Sequence, residues 1–333
     1  MQSYAQTECN SLREAEVPGR SNSDWKSPPS AQLDLARAEI ASGEVSRGMR
    51  TLFSTLQDAR ATLAPGDWRR FCLETCRNHP IRDLLHQEPF TRRGFEKPRN
   101  YAGDAVVLDF VYEDRAPARL SHTPIGVEIN RFLCAQPTIT AVRERRDRLA
   151  QWLDRVSGQA PDSRALAVAC GHLRESQRSQ AVQERRLGEL LALDQDIQSL
   201  GVIDSELGHL AIKPVHGSVK EIVKNQIRFE QLDLIYAAGL YDYLSQPMAI
   251  RLTRLLFSML RPGGHLVLAN YADPIESSAF KAYMEAFMDW WLIYREESDV
   301  AGWMQEIPKT QVRRRELFRD TTNNIIYLEL TRR

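Results

Sequence analysis

From residue 164 onward, short apolar runs alternate with helical patterns, and this alternation constrains the fold more than any other feature of the chain. Such alternation is typical of a parallel sheet with crossover helices. The runs are Arg164–Ala169, Glu189–Leu193, Ala211–His216, Leu232–Ala237 and His265–Asn270. Two further runs, Gln311–Phe318 and Asn324–Leu330, flank a polar turn and predict a closing antiparallel hairpin. The sequence therefore predicts an α/β protein with a seven-stranded sheet.

The residues ahead of the sheet predict a tail, a helical domain and, within that domain, a lid segment. Residues 1–30 are rich in Ser, Pro, Asn and Gln, which predicts a mobile tail. Residues 31–158 follow helical spacing and predict a helical domain, with residues 159–333 as the ligand-binding domain. One buried helix face is expected at Val45, Met49, Leu52, Phe53 and Leu56. Residues 89–124 lose the periodicity and predict an irregular lid segment.

Composition limits the partners. Lys plus Arg and Asp plus Glu both total 44, so no net charge draws the chain to nucleic acid or an anionic membrane. No apolar run approaches the roughly 18 residues of a membrane helix, and the polar start does not resemble a signal peptide. The five scattered cysteines favour reduced thiols, and no His/Cys spacing predicts a metal site. We therefore expect a cytoplasmic protein without a metal, and a homo-oligomer stays open.

The residues directly after the strands are candidates for ligand binding, because open α/β sheets bind ligands beyond the carboxyl ends of their strands. Cys170 and Gly171 follow the first run, where a glycine permits close approach of the backbone to a ligand. Asp194 follows 23 residues after Gly171, and its carboxylate could accept both ribose hydroxyls of an adenosine ligand. Ser218 and Val219 follow the third run and could contact the adenine.

The other strand ends supply the remaining candidates. Gln195, beside Asp194, and Ala238, after the fourth run, are expected to line the cofactor site. The candidate catalytic residues, whose side chains can exchange protons, are Tyr241, Asp242 and His216. Asn270 and Tyr271 follow the fifth run and are expected to contact substrate.

An aromatic segment near residue 290 adds candidates for substrate binding. Its helical stripe consists of Phe280, Met284, Phe287, Trp291 and Tyr294. Such a stripe is either core or binding surface. Trp290 and Arg295 lie beside it, and Arg295 could pair with a substrate carboxylate or with a nearby acid. The Arg143–Arg148 cluster alternates with acids and predicts a solvated helix face.

Residues 164–270 resemble the class I S-adenosylmethionine-dependent methyltransferases. Ala167–Gly171 resembles their first motif, Leu191–Asp194 their acidic ribose motif, and Leu260–Gly264 the turn before their fifth strand. The resemblance implies a Rossmann-like sheet with an antiparallel last strand and S-adenosylmethionine as the cofactor.

Within this class, the chain is most similar to bacterial proteins assigned to the biosynthesis of 3-hydroxypalmitic acid methyl ester, an extracellular factor. Three segments carry this similarity over about residues 95–330, namely Pro98–Asp104, Cys170–Glu175 and Asp289–Arg295. Tyr101 and Asp104 lie in a Tyr-Ala-Gly-Asp stretch that is typical of a turn, so they are either turn residues or part of a lid or cofactor site outside the core. Arg99 of the same segment is expected to contact substrate.

The first motif departs from the pattern of the class. Its three glycine positions hold Ala169, Gly171 and Leu173, and Ala167 replaces its acid. The loss argues against a cofactor with a pyrophosphate, whereas a sulfonium cofactor carries no phosphate. Its methionine ammonium still requires an acceptor, and Glu175 or Asp104 could replace the missing acid.

The expected function is S-adenosylmethionine-dependent methylation of a small molecule, with formation of a methyl ester on a carboxylate. A carboxylate is ionised at neutral pH and needs no general base. Two alternatives remain open: N-methylation of an amine, amino acid or peptide, and a non-catalytic adenosyl-binding scaffold.

Overall fold

A computed structural model describes residues 29–112, 123–160, 162–273 and 278–333. These residues belong to two compact units. The helical unit contains the described residues up to Thr140 and those from 278 to Trp291, and the sheet unit contains Ala141–Asp273 and Leu292–Arg333. The predicted tail lies outside the described residues, except that Pro29 and Ser30 begin the first helix.

The helical unit is built from short and medium helices. They are α1 (Pro29–Ala41), α2 (Val45–Thr62), α3 (Pro65–Arg70), α4 (Ile81–Leu85), α5 (Pro89–Glu96), α6 (Ala105–Tyr112) and α7 (Pro124–Cys134). A π-helical turn (Phe71–Thr75) and a 3-10 turn (Cys76–Asn78) continue α3. The start of α8 (Pro137–Gln159) and the whole of α13 (Ser278–Phe287) complete this unit.

Helix α2 is the centre of the helical unit. All five positions of its predicted apolar face are buried, which confirms that expectation. The ring of Phe53 contacts Phe132 of α7 at 5.0 Å and Tyr283 of α13 at 5.2 Å between centroids. A Cβ on Gly48 would lie 2.6 Å from the Ile40 side chain, so glycine allows α1 and α2 to pack closely.

The segment predicted to be irregular, residues 89–124, is largely helical where it is described. Glu88 begins α5, since its carboxylate accepts hydrogen bonds from the N–H groups of Phe90 at 3.0 Å and Thr91 at 2.7 Å. Pro89 occupies the first turn of the helix, as proline prefers. These local signals begin α5, and Asp104, which accepts the Val107 N–H, lies at the start of α6. The rest of the expected lid, residues 113–122, lies outside the described residues.

The sheet unit has the predicted seven strands. They are β1 (Arg164–Val168), β2 (Glu189–Asp194), β3 (Ile212–His216), β4 (Leu232–Ala238), β5 (Leu260–Tyr271), β6 (Val312–Arg319) and β7 (Ile325–Arg332). Their order is β3-β2-β1-β4-β5-β7-β6, with β1 to β5 parallel and β7 antiparallel to both of its neighbours. This confirms the predicted Rossmann-like seven-stranded sheet with an antiparallel last strand.

The central strands are apolar because both faces of the sheet are covered. Leu166 and Val168 of β1 belong to one core, and Ala165 and Ala167 belong to the other. The edges carry residues that a central strand excludes. Pro214 lies in edge strand β3, and edge strand β6 begins Val-Arg-Arg-Arg.

The helices of the sheet unit connect these strands. They are most of α8, then α9 (Gln180–Gln183), α10 (Ile197–Leu207), α11 (Val219–Val223), α12 (Gln246–Met259) and α14 (Glu297–Gly302). The unit boundary differs from the predicted one at residue 158. Trp152, Leu153 and Val156 of α8 share a core with the sheet, so most of α8 belongs to the sheet unit.

The aromatic stripe is only partly helical, which corrects the sequence interpretation. Phe280, Met284 and Phe287 are buried core residues of α13. Asp289 has a φ of 46°, and the N–H of Trp290 donates to the Met284 carbonyl at 3.0 Å. This left-handed residue ends the helical path, so the segment from Trp290 to Tyr294 is not helical.

Candidate active site

The loop after β1 has a left-handed backbone at three alternate positions. Ala169, Gly171 and Leu173 have φ values of 54°, 55° and 53°. These are the three positions that resemble the glycines of the first motif in the sequence, and a residue with a side chain is strained there by roughly 1–2 kcal/mol. The loop is therefore left-handed at all three positions, although two of them carry side chains.

Asp194, the last residue of β2, holds this loop. Its Oδ2 accepts a hydrogen bond from the Gly171 N–H at 2.8 Å, and its Oδ1 accepts one from the Asp196 N–H at 2.8 Å. Burial raises the pKa of Asp194, against the effect of these N–H donors. Each carboxylate oxygen has a second lone pair, so the group can still accept hydroxyl donors. The structure thus brings the two principal candidates, Asp194 and Gly171, into contact.

Cys170 and Gln195 lie beside this contact. The Cys170 N–H donates to the Leu193 carbonyl at 3.1 Å, and burial raises the pKa of its thiol, as do the charges of Asp194 and Glu175. Gln195 is exposed, and its carbonyl oxygen lies 3.2 Å from His216 Nε2. Both residues are therefore near the predicted ribose acceptor.

His216 lies at the end of the edge strand, not beside the central crevice. In the sheet order β3 is separated from β1 by β2, so it is about 10 Å from β1. Its imidazole is exposed. Within the described residues, the hydrogen bond of its ring is to the Gln195 carbonyl. This position does not favour His216 as a general base at the β1–β4 crevice.

Ser218 has a structural role that the sequence interpretation missed. Its hydroxyl donates to Glu221 Oε2 at 2.7 Å and accepts from the Glu221 N–H at 3.3 Å. The Ser218 N–H donates to the same carboxylate at 2.8 Å. This capping box begins α11 and engages the groups that were expected to contact adenine. The adjacent Val219 is half-buried and packs against the core.

Tyr241 is a core residue, which corrects its prediction as catalytic. Its side chain is fully buried, its hydroxyl lies 3.0 Å from Thr253 Oγ1, and its ring packs 4.5 Å from Trp303. Burial raises the pKa of its phenol above the ordinary range. Ala238, at the end of β4, is half-buried and precedes Gly239, whose φ is 120°.

Asp242 joins two strand ends. Its Oδ1 accepts the N–H of Tyr271 at 2.6 Å, and its carbonyl accepts the N–H of Ile293 at 2.8 Å. Burial raises the pKa of this carboxyl, whereas the Tyr271 N–H and the charges of Arg145 and Arg295 lower it. These contacts show a structural role at the carboxyl ends of β4 and β5, in place of the predicted catalytic one.

Arg295 is buried and engaged by the protein itself, which corrects its prediction as a substrate ligand. Its Nη1 donates to the Tyr241 carbonyl at 2.8 Å and to Asn270 Oδ1 at 2.6 Å. Its other two nitrogens donate to the Leu244 carbonyl and to Gln246 Oε1. The guanidinium thus joins the segments after β4 and β5.

Asn270, another predicted substrate ligand, also belongs to the hydrogen-bond network around Arg295. Its Nδ2 donates to the carbonyls of Tyr271 at 2.8 Å and Ile293 at 2.9 Å. With Oδ1 bound by Arg295, the whole amide serves the fold. Tyr271 and Tyr294 are half-buried with ring centroids 6.0 Å apart, and both remain predicted substrate contacts.

Glu175 brings a second buried carboxylate to the loop after β1. Tyr236 of β4 donates its hydroxyl to Glu175 Oε1 at 2.7 Å. Burial raises the pKa of Glu175, and the charges of Arg145 and Arg146 oppose this. Both arginines are buried, which the prediction of a solvated face at Arg143–Arg148 did not anticipate. Sequence gave no signal for them, because charge alternation alone does not reveal a buried helix face.

In the helical unit, Asp104 is engaged by internal contacts. Both of its oxygens accept hydrogen bonds from Arg93 Nε at 3.0 Å, and Oδ2 accepts one from Arg93 Nη2 at 2.7 Å. Oδ1 also accepts the Val107 N–H at 2.9 Å, at the start of α6. The side chain is fully buried, so this carboxylate holds α5 to α6 rather than acting as a free ligand acceptor.

The other predicted ligand-binding residues of the helical unit lie in the turn between α5 and α6 and after α13. Tyr101 and Arg99 are half-buried in the turn between α5 and α6, and Trp290 is buried with its ring 6.3 Å from Phe90. Trp291 is half-buried, and its ring N–H donates to Asp289 Oδ1 at 2.9 Å. Their predicted ligand roles stay predictions.

Two absences concern the described residues alone. Within the described ranges, no group of three or more His, Cys, Asp or Glu side chains is arranged to hold a metal ion. None of the helices described here is both long and apolar enough to cross a membrane.

Comparison by sequence gives no relative: no protein-family model matches the chain, and no curated protein matches it. Comparison of structures gives several. A possible exported protein from Bordetella parapertussis is 15% identical with a TM-score of 0.57, over 92% of this chain and 97% of the other.

Two methyltransferase structures are also similar. Magnesium protoporphyrin IX methyltransferase (ChlM) from Synechocystis is 13% identical, with a TM-score of 0.47, over 76% of this chain and 98% of its own. The N-methyltransferase NodS from Bradyrhizobium japonicum is 14% identical, with a TM-score of 0.41, over 68% and 97%. At 15% identity the likeness to the Bordetella protein is one of fold, and it extends over nearly the whole of both chains.

Proposed function

We propose that this protein is an S-adenosylmethionine-dependent methyltransferase that forms a methyl ester on the carboxylate of a small organic acid. The observation that carries the proposal is the contact between Asp194 and the Gly171 N–H at 2.8 Å. It places an acid from β2 against the left-handed loop of β1, at the edge where α/β sheets bind nucleosides.

The residues present fit a nucleoside without phosphates. Asp194 retains lone pairs for two ribose hydroxyls, and the left-handed loop lets the backbone approach the ligand closely. The first motif has a single glycine, which disfavours a pyrophosphate. When bound, S-adenosylmethionine would supply an electrophilic methyl group.

The nucleophile is proposed from the environment of the candidate bases. Tyr241 and Asp242 are buried and engaged in structural hydrogen bonds, and His216 lies on the edge strand. A substrate carboxylate has a reference pKa near 4, so it is already ionised at neutral pH and needs no proton acceptor. The work left to the protein is alignment of the reactants and exclusion of water.

Calorimetry tests the cofactor proposal first. The wild-type protein is expected to bind S-adenosylhomocysteine. Asp194→Ala should weaken this binding about 10- to 100-fold, since a hydrogen bond to a charged group contributes about 1.5–3 kcal/mol. Asp204→Asn, an exposed acid on α10, is the matched control and should bind as the wild type does. No binding by the wild type, or equal binding by Asp194→Ala, would overturn the proposal.

Turnover assays test the substrate class. Panels of organic acids and of amines would be incubated with S-adenosylmethionine, and the products would be treated with mild base. A methyl ester is hydrolysed under these conditions, whereas an N-methyl product survives. Base-stable products would favour N-methylation, and binding without any turnover would favour an adenosyl-binding scaffold.

A further inference from the structure

Tyr327 of β7 is fully buried, and its hydroxyl has no hydrogen-bond partner among the described residues. The other buried tyrosines of the described sheet unit differ in this respect. Tyr236 donates its hydroxyl to Glu175 Oε1 at 2.7 Å. The Tyr241 hydroxyl lies 3.0 Å from Thr253 Oγ1. A buried hydroxyl without a partner is unfavourable, so a polar ligand at Tyr327 would supply what the described chain does not.

Tyr327 lies near the edge of the sheet at which the parallel strands end. It pairs with Ala269 in the β5–β7 ladder, and Ala269 pairs with Ala238, the last residue of β4. All three side chains pack into the same core, so they share one face of the sheet. Since neighbouring strands are about 4.8 Å apart, the Tyr327 backbone lies about 10 Å from the end of β4. The two alanines carry methyl groups, so a polar partner for the phenol has to come from another element or from a ligand.

Helix α8 brings a cation to this phenol. The Arg148 guanidinium lies over two rings, with its Cζ 5.4 Å from the ring centroid of Phe318 and 5.6 Å from that of Tyr327. The two rings are stacked, with 5.2 Å between their centroids and 14° between their planes. Arg148 is half-buried, and the contacts of its guanidinium within the described residues are these two rings. Stacking uses the flat face of a guanidinium, whereas its N–H donors lie in its plane and can still bind an acceptor.

The acids of α8 beside Arg148 are engaged by other residues. Glu144 accepts hydrogen bonds from the N–H of Thr321 at 3.3 Å and from its hydroxyl. Asp147 accepts a hydrogen bond from Arg146 Nε at 2.9 Å. The guanidinium and the phenol therefore offer a positive charge next to a hydroxyl donor, which is an arrangement that complements a carboxylate.

We infer that Tyr327 and Arg148 form the subsite that binds the carboxylate of the substrate, with the phenol hydroxyl and the guanidinium N–H groups as its donors. This inference rests on the proposed function and adds to it the residues that recognise the acid. Burial raises the pKa of the Tyr327 phenol, so the hydroxyl keeps its proton and can donate it to an acceptor. A carboxylate bound there would give the buried hydroxyl its partner near the edge at which β4 and β5 end.

Tyr327→Phe tests the hydroxyl, because it removes this group and keeps the ring. The probe is the organic acid that the wild-type protein methylates with the lowest KM in the turnover panel. We expect the variant to raise this KM about tenfold, with little change in kcat or in the affinity for S-adenosylhomocysteine. Its free energy of unfolding should not fall, because the hydroxyl has no partner in the described residues. Tyr241→Phe is the matched control, since it loses a bonded hydroxyl and should lower the free energy of unfolding while leaving the KM unchanged.

Arg148→Met tests the charge, because it keeps an unbranched side chain over the two rings. This variant should raise the KM for the same acid about tenfold or more and leave the affinity for S-adenosylhomocysteine unchanged. Arg148→Lys keeps the charge without the planar fork, so it should recover part of the loss. Arg313→Met, at an exposed arginine of β6, is the control and should keep the wild-type KM.

The outcomes separate the inference from the proposed function. If Tyr327→Phe keeps the wild-type KM, or if it loses stability as Tyr241→Phe does, the hydroxyl is structural and the inference is overturned while the proposed function stands. If the wild-type protein methylates no acid, the proposed function itself fails, and the inference fails with it. Thermal unfolding of each variant identifies a folding defect. Should Arg148→Met not fold, Tyr327→Phe and Arg148→Lys decide the inference.

Discussion

The carboxylate of Asp194 accepts the backbone N–H of Gly171 across 23 residues of sequence. This hydrogen bond joins the end of β2 to the loop after β1. A ligand that uses both groups would therefore find them already in place, which reduces the conformational entropy lost on binding.

The strained loop predicts a stabilising substitution. Ala169 has a φ of 54° and is exposed, so Ala169→Gly removes the strain without loss of packing. We expect the free energy of unfolding to rise by about 0.5–1 kcal/mol. Ala192→Gly, a buried alanine of β2, is the control and should lower it. Denaturant unfolding of both variants measures the effect, and equal losses in the two would contradict it.

The network around Arg295 predicts a large loss of stability. Arg295→Ala leaves Asn270 Oδ1 and the carbonyls of Tyr241 and Leu244 without their donor. We expect the free energy of unfolding to fall by about 3–5 kcal/mol, as for a broken buried charge network. Arg313→Ala, at an exposed arginine of β6, is the control and should change it little. A stable Arg295→Ala protein would instead support the original substrate-binding interpretation.

Asp104 is expected to act on stability without acting on the cofactor. Asp104→Asn removes the charge that binds Arg93 but retains an acceptor for the Val107 N–H. Unfolding free energy should fall by about 1–3 kcal/mol. The affinity for S-adenosylhomocysteine, measured by calorimetry on the folded variant, should be unchanged. A selective loss of that affinity would return Asp104 to the cofactor site.

Glu329 predicts a pH dependence of stability. Burial raises its pKa, but the His265 hydrogen bond at 3.1 Å and the Arg155 charge outweigh this, and the folded-state pKa lies below the ordinary value. An acid with a lowered pKa stabilises the fold above its unfolded-state pKa, and this contribution is lost as the pH falls through its folded-state pKa.

Glu329→Gln should therefore lower the free energy of unfolding at pH 7 and flatten its decline below about pH 4. Urea unfolding over a series of pH values measures both effects. Glu230→Gln, in an exposed ion pair with Arg228, is the control and should leave the profile unchanged. A parallel shift of the whole profile would show that the Glu329 charge is not responsible.

Local patterns were sufficient for the sheet and for the edge at which its parallel strands end. The ends of the predicted strands differ from those of the observed strands by a residue or two, apart from the start of β5. This strand begins earlier, at Leu260, because Leu260 pairs with Leu232 before the register between β4 and β5 shifts. Asp194 and Gly171 follow from their places after strands, because parallel strands bring their carboxyl ends to one edge.

The tertiary structure alone decided which polar side chains remain for chemistry. Sequence places Tyr241 and Asn270 near strand ends and Arg295 in the aromatic segment near residue 290, but it does not show that they hydrogen-bond to other parts of the fold. It also cannot show that Arg145 is buried beside Gly239, because the two are far apart in the chain. Periodicity and turn residues are local properties, whereas the partners of a buried charge are set by packing between distant segments.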